Sequence, residues 1–154
     1  MPPSRSSTDR WFSDVGSASL EFVTVGLVLL VPLVYLVLAM SSIQAGALAV
    51  EGAARQAARV FVQSADAESA QASAVRAVEF ALADHGIDPD ATDIEIRCDP
   101  LPGDCLTRQG FVTVTVALSV PLPLAPAVLD GDFPVAIALN ATATQQVSRF
   151  WGGG

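Results

Sequence analysis

Residues 22–40 read FVTVGLVLLVPLVYLVLAM, and this uncharged stretch of nineteen residues decides the fold. Thirteen of the nineteen are Leu, Val or Phe, each of which favours membrane insertion by about 0.3–0.6 kcal/mol. With a rise of about 1.5 Å per residue, a helix of this length covers roughly 28 Å, close to the hydrocarbon core of a bilayer. Pro32 is tolerated in a membrane helix and is expected to bend its axis. The stretch predicts a transmembrane helix.

The helix is expected to continue beyond the membrane. Residues 41–63, SSIQAGALAVEGAARQAARVFVQ, are rich in Ala, contain no Pro and keep small or apolar residues at helical spacing. A break is predicted at residues 64–66, and a second, amphipathic helix over residues 67–84. Its apolar stripe consists of Val75, Val78 and Leu82, and Gly86 is placed to cap its C-terminal end.

Beyond Gly86 the apolar period changes from 3.6 to 2 residues. Three runs alternate polar and apolar side chains, over residues 93–98, 111–120 and 135–144. The link between the last two runs, residues 121–134, is rich in Pro and predicts a loop. Together these patterns predict an α+β fold, with a long N-terminal transmembrane helix, a second helix and a small antiparallel sheet of three or more strands.

The charge of the chain is −8 and is unevenly placed, with twelve carboxylates but only four arginines after Val60. An acidic outer domain is a poor nucleic-acid binder, because phosphate contacts need clusters of Lys and Arg. His85 is the single histidine and no Gly-x-Ser-x-Gly motif is present, so the sequence indicates no nucleophile triad and no enzyme. No cofactor, metal site or small-molecule substrate is expected.

The two cysteines, Cys98 and Cys105, have no further Cys or nearby His to complete a metal site. They flank DPLPGD, residues 99–104, whose Pro and Gly fit a reversing turn between two strands. Outside the reducing cytoplasm the pair is expected to form one disulfide. The alternative is a pair of buried thiols in a cytoplasmic domain.

The stretch GSASLEF, residues 16–22, stands directly before the apolar run. One explanation of Glu21 is an interfacial role, in which its charge favours the positive end of the helix dipole. The whole pattern is more specific: a Gly, four residues, and then Glu21 and Phe22 opening an apolar helix resembles the prepilin processing site of type IV pilins and pseudopilins. The resemblance implies that a membrane aspartyl peptidase cuts after Gly16 and leaves Ser17 as the new N-terminus.

The spacing gives Glu21 a chemical role in this resemblance. Cleavage creates an α-ammonium group at Ser17 where the chain enters lipid, and an unpaired charge there is costly. Glu21 lies one helical turn further on and is placed to pair with that ammonium group, in its own or a neighbouring subunit. An isolated glutamate would only cost free energy, whereas a paired one can set the axial register of subunits during assembly.

A second segment narrows the resemblance. GAARQAARV, residues 52–60, follows the apolar helix, and with GSASLEF it resembles the TadE/TadG group of tight-adherence (Flp) pilus assembly proteins. The resemblance covers residues 16–60. Since the chain lacks the large von Willebrand-type domain of many TadG proteins, TadE-like describes it best. Arg55 and Arg59 share one polar face, and three roles are open for them: contact with lipid phosphates, contact with partner carboxylates, or solvation of an Ala-rich helix.

The expected organisation is a leader peptide (1–16), a transmembrane helix with its extension (17–63), a small extracytoplasmic domain (64–149) and a disordered tail (150–154). The resemblance implies a minor pseudopilin in the cytoplasmic membrane, with its N-terminus inside. Its implied partners are the prepilin peptidase, other pilins or pseudopilins, the tight-adherence machinery and membrane lipid.

Two alternatives belong to other classes. The first is an unprocessed bitopic membrane protein whose outer domain binds an envelope partner. The second is a small secreted β-rich protein, released by signal peptidase at a small-x-small site among residues 45–49. The three hypotheses differ in the mature N-terminus, which would be Ser17, Met1 or Pro2, or a residue near Leu48.

Overall fold

The computed structural model describes residues 14–123 and 136–152. The chain divides into two units, Met1–Leu38 and Ala39–Gly154, and one helix, α1 (Asp14–Gln63), belongs to both. Because α1 begins at Asp14, it already includes the last three residues of the expected leader, and the rest of the leader lies outside the described residues. The expected extension of the apolar helix as far as residue 63 is confirmed.

In the first unit, α1 exposes its apolar side chains. Phe22 is 80% exposed, and the large aliphatic residues from Leu20 to Leu38 are all at least 45% exposed. Such a surface is costly in water, because apolar area favours an apolar environment. Among the described residues, α1 is the one helix that is long and apolar enough to cross a bilayer. The helix continues through Pro32 without interruption.

The second unit contains the rest of α1 and a second helix, α2 (Ala67–Ala83). The turn between them falls at the predicted residues because Asp66 caps α2: its side chain accepts a hydrogen bond from the backbone N–H of Ser69 at 2.8 Å. The hydroxyl of Ser69 also donates a hydrogen bond to this carboxylate. The hydrogen bonds from the backbone and side chain of Ser69 hold the pKa of Asp66 below its usual range. Beyond α2, Gly86 has φ +67°, a left-handed conformation that glycine adopts without strain.

The buried side of α2 differs slightly from the predicted stripe. Val75 is only half-buried and lies beside the buried row instead of within it. The row itself follows the i, i+4 spacing of a helix face. It consists of Ala70, Ala74, Val78 and Leu82.

A short 3₁₀ turn, Pro89–Ala91, leads into a three-stranded antiparallel sheet with the strand order β1-β2-β3. The strands are β1 (Thr92–Asp99), β2 (Phe111–Pro121) and β3 (Ala136–Gln146). All three predicted strands are confirmed, each within two residues of its expected limits, although Val135 at the start of the third run lies outside the described residues. The α+β fold class is confirmed.

One face of the sheet and the buried faces of the helices form a single apolar core. Along β2 every second residue is buried: Val112, Val114, Val116, Leu118 and Val120. On α1 the core residues are mostly small, with Ala53 and Ala57 fully buried. Small side chains let the helix lie close to the sheet, and tight packing of this kind is typical of protein interiors.

The connection between β1 and β2 covers residues 100–110, so it continues past the predicted turn at 99–104 up to the predicted start of the second strand at residue 111. Cys105 lies inside this connection. The next residue, Leu106, is 3% exposed, so the chain enters the core before it reaches β2. The predicted disulfide is present. It joins Cys98 on β1 to Cys105 in the loop, with their Cα atoms 5.0 Å apart.

The end of the chain differs in part from the expected disordered tail. Trp151 is half-buried, and its indole Nε1 donates a hydrogen bond to the backbone oxygen of Ser64 at 3.0 Å. The guanidinium of Arg108 donates to the backbone oxygen of Trp151 at 2.8 Å. A half-buried indole is stabilised by an apolar surface and an acceptor; the core supplies the surface and the α1–α2 turn supplies the acceptor. Gly153 and Gly154 lie outside the described residues.

Candidate functional site

The expected processing site lies in the first turns of α1. The backbone of Gly16 and Ser17 is helical, and the side chain of Ser17 lies outside the described part of the chain. Glu21 and Phe22 follow and are both exposed. Among the side chains of α1 that the structure describes, Leu20 is the first large apolar one that is exposed, and Glu21 follows it directly. The carboxylate therefore lies near the N-terminal end of the apolar run, within the second turn of α1 or later.

Glu21 makes no ion pair with the described side chains. The ion pairs found there join Glu51 to Arg55 and Glu95 to Arg97. A carboxylate at the mouth of an apolar helix is costly without a cationic partner. Its exposure leaves it accessible to a cation from outside this part of the chain.

The Ala-Ala-Arg-x-Ala-Ala-Arg segment of α1 has two faces. Its four alanines, Ala53, Ala54, Ala57 and Ala58, are at most 1% exposed and belong to the core with the sheet. Arg55 and Arg59 point away from that core and are exposed. The alanines thus have a structural role, because a helix with small side chains packs closely on a sheet. The arginines have no such role in the core.

The two arginines differ in their partners. Arg55 pairs with Glu51, one turn earlier on the same helix, and the two side chains are 69% and 49% exposed. An exposed pair of this type adds little stability, because water solvates both charges when the pair opens. Arg59 has no ion pair with the described side chains. Both guanidinium groups are therefore exposed to solvent and to any further carboxylate that comes near them.

The described surface of the second unit also has a groove between its two helices and one exposed histidine. An open groove of about 590 Å³ between α1 and α2 is lined by both polar and apolar side chains, among them Val60, Arg76 and Phe80. Among the described residues, no three His, Cys, Asp or Glu side chains are arranged to hold a metal ion. His85, beyond the end of α2, is exposed.

Three residues with distinct environments escaped the sequence reasoning. Gly46 is buried against Val120 and Leu139 of the sheet, whereas Gly52 is exposed on the same helix. Trp151 is bound to the α1–α2 turn. A glycine within an Ala-rich helix indicates a position with a special packing environment, because glycine is the poorest helix former apart from proline. A Trp in a predicted tail likewise indicates that the tail contacts the rest of the chain.

Compared with protein-family models, with curated proteins and with solved structures, the chain matches none of them.

Proposed function

We propose that this chain is a TadE-like minor pseudopilin, a non-enzymatic component that assists the assembly of a tight-adherence (Flp-type) pilus or a related secretion system. In this proposal the chain is processed after Gly16 and α1 anchors it in the cytoplasmic membrane. The N-terminus lies inside and the second unit outside. Its partners are the prepilin peptidase, other pilins or pseudopilins, the assembly machinery and membrane lipid.

The observation that supports this most directly is the position of Glu21. It lies directly after Leu20, the first exposed large apolar side chain of α1 among those that the structure describes, and five residues after Gly16. The same helix continues without a break into a small α+β unit. After cleavage, the new ammonium group at Ser17 and the Glu21 carboxylate lie about one helical turn apart. This arrangement offers a charge pair that can be formed within one subunit or between two.

The disulfide and the packing of α1 support the proposed topology. A bond between Cys98 and Cys105 persists in an oxidising compartment, which favours placing the second unit outside the cytoplasm. Release of a secreted form by cleavage near Leu48 would remove Gly46 from its buried contact with Val120. Retention of the whole helix avoids that loss, which favours an anchored chain over a secreted one.

The proposal is tested by Glu21→Ala, with Glu51→Ala as the matched control on the same helix. Both variants are expected to insert into the membrane, because Glu21→Ala makes the apolar segment more apolar and Glu51 lies beyond it. Only Glu21→Ala should abolish pilus formation and surface adherence. Normal adherence of the Glu21→Ala strain would return this carboxylate to a simple interfacial role.

A further inference from the structure

The part of α1 that carries no charge is longer than its apolar run. Glu21 and Glu51 enclose twenty-nine residues without Asp, Glu, Lys, Arg or His. At a rise of about 1.5 Å per residue, this stretch is roughly 43 Å long. A bilayer measures about 30 Å across its hydrocarbon core and about 40–45 Å with both headgroup layers. The uncharged stretch therefore matches the whole bilayer, and in that fit residues 46–50 fall in the outer headgroup layer.

One face of α1 is already covered at the end of the apolar run. Ala39, the first residue of the second unit, is 8% exposed; Ile43 is half-buried, and Gly46 and Val50 are buried. These positions follow one another in steps of four and three, so they share one face of the helix. No exposed and charged length of helix separates the apolar run from the second unit, because residues 41–50 carry no charge.

Gly46 also marks one end of the sheet. A Cβ on Gly46 would lie 2.6 Å from Cγ2 of Val120 and 2.9 Å from Cδ1 of Leu139, so the end of β2 and the start of β3 lie at the level of this glycine. The turn after α2 reaches the end of β2, where a mostly apolar cavity of about 270 Å³ lies between residues 86–88 and 118–121. We name residues 86–88, 118–121 and 136–139 the basal surface.

The two ends of the second unit differ in charge. Asp88 is the one charged residue of the basal surface, which contains no Arg. The opposite end, with the α1–α2 turn and the β1–β2 connection, carries Asp66, Asp104, Arg108 and Arg149, and all four are exposed. A surface with few charges loses little hydration when water is replaced by lipid. Charge therefore favours the basal surface, and not the opposite end, as the one that contacts a bilayer.

We propose that the basal surface lies in the outer headgroup layer of the bilayer that anchors α1. Lipid headgroups then contact the ends of β2 and β3 and the turn after α2. Lipid is the occupant because the bilayer reaches this level along α1: even with Met40 at the edge of the hydrocarbon core, Gly46 is only six residues further, about 9 Å. The inference rests on the membrane anchoring proposed above and not on the pilus role.

The test compares the depth of two positions on one strand, in the full-length chain reconstituted into phosphatidylcholine vesicles. Ala138 in the basal surface and Gln146 near the other end of β3 are both exposed, and each is replaced by Cys in a separate variant. Because Cys98 and Cys105 are bonded to each other, a nitroxide reagent attaches to the introduced cysteine alone. A lipid with a nickel-chelating headgroup supplies a paramagnetic ion at the bilayer surface.

We expect the nickel lipid to enhance spin relaxation at least about threefold more at position 138 than at position 146, because the two positions are roughly 26 Å apart along the strand and a headgroup layer is only about 5–8 Å thick. A water-soluble nickel chelate should give the opposite order. Labels at Ser119 and Phe111, the partners of these two positions in the sheet register, should repeat the result on β2. A low ratio of protein to lipid ensures that headgroups, and not a second copy, meet the label.

Equal relaxation at positions 138 and 146 in vesicle-bound chains would overturn the inference, because the second unit would then take no fixed orientation on the bilayer. Stronger relaxation by the nickel lipid at position 146 would overturn it as well. A chain that does not float with the vesicles would overturn the anchoring and this inference together. Normal adherence of Glu21→Ala cells would remove the pilus role alone, and the order of the two labels would be unchanged.

Discussion

Gly46 of α1 lies against Val120 of β2 so closely that a Cβ on the glycine would be 2.6 Å from Cγ2 of the valine. The same Cβ would be 2.9 Å from Cδ1 of Leu139 on β3. Both distances are shorter than carbon atoms tolerate without a shift of the side chains or the helix. Gly46 therefore sets the spacing between the helix and the sheet at the end of the second unit where α1 enters it.

We predict that Gly46→Ala destabilises the second unit although Ala is the better helix former. Overpacking of this type costs about 1–3 kcal/mol, and the melting temperature should fall by roughly 4–8 °C for each kcal/mol lost. Gly52→Ala is the matched control on the same helix. It should raise stability by up to about 1 kcal/mol, because its Cβ meets no described atom. Thermal unfolding in detergent checks both, and equal shifts in the two variants would refute the close contact.

The disulfide should stabilise the second unit and report its compartment. Cys98 and Cys105 are seven positions apart, and closing so short a loop contributes roughly 2.5 kcal/mol on the chain-entropy estimate. The double variant Cys98→Ser with Cys105→Ser should lose about that much free energy of unfolding. In native membranes, thiol reagents should label neither cysteine until a reductant is added. Labelling of both without reductant would mean that the second unit faces a reducing compartment.

The cap of α2 should make stability depend on acid pH. The backbone and side chain of Ser69 lower the pKa of Asp66 in the folded chain. The stabilisation is therefore complete above the unfolded pKa of about 3.9 and is lost as the pH falls through the lower, folded pKa. Asp66→Asn keeps a capping acceptor that does not titrate. Below about pH 4 the melting temperature of the wild type should fall more steeply than that of Asp66→Asn. If the two melting temperatures fall in parallel with pH, the cap does not titrate in this range.

The secondary structure could be predicted because the apolar period records which face of each element is buried. The period of two in residues 111–120 gave β2, whose alternate valines are buried as expected. Predictions based on the apolar period failed where burial is not periodic. The loop around Leu106 enters the core without forming a strand, so the burial of Leu106 could not be predicted from alternation.

Contacts between distant parts of the chain were out of reach for the sequence. Trp151 bonds to Ser64, eighty-seven positions away, and Gly46 meets strands more than seventy positions away. Such pairs depend on how the elements pack, which no local pattern records. In the candidate site, the structure shows that Glu21 is exposed and follows the exposed Leu20. Cleavage after Gly16 and the pairing of Glu21 with a new N-terminus stay predictions.

The most direct test of the account is the mature N-terminus of the chain, measured by mass spectrometry on protein purified from cells that contain the prepilin peptidase. The account predicts that the wild-type chain begins at Ser17, and that Gly16→Val leaves a precursor that still carries residues 1–16, because the peptidase no longer recognises the site. A wild-type chain that begins at Met1 or Pro2, or near Leu48, would contradict the account. A Gly16→Val chain that still begins at Ser17 would contradict it as well.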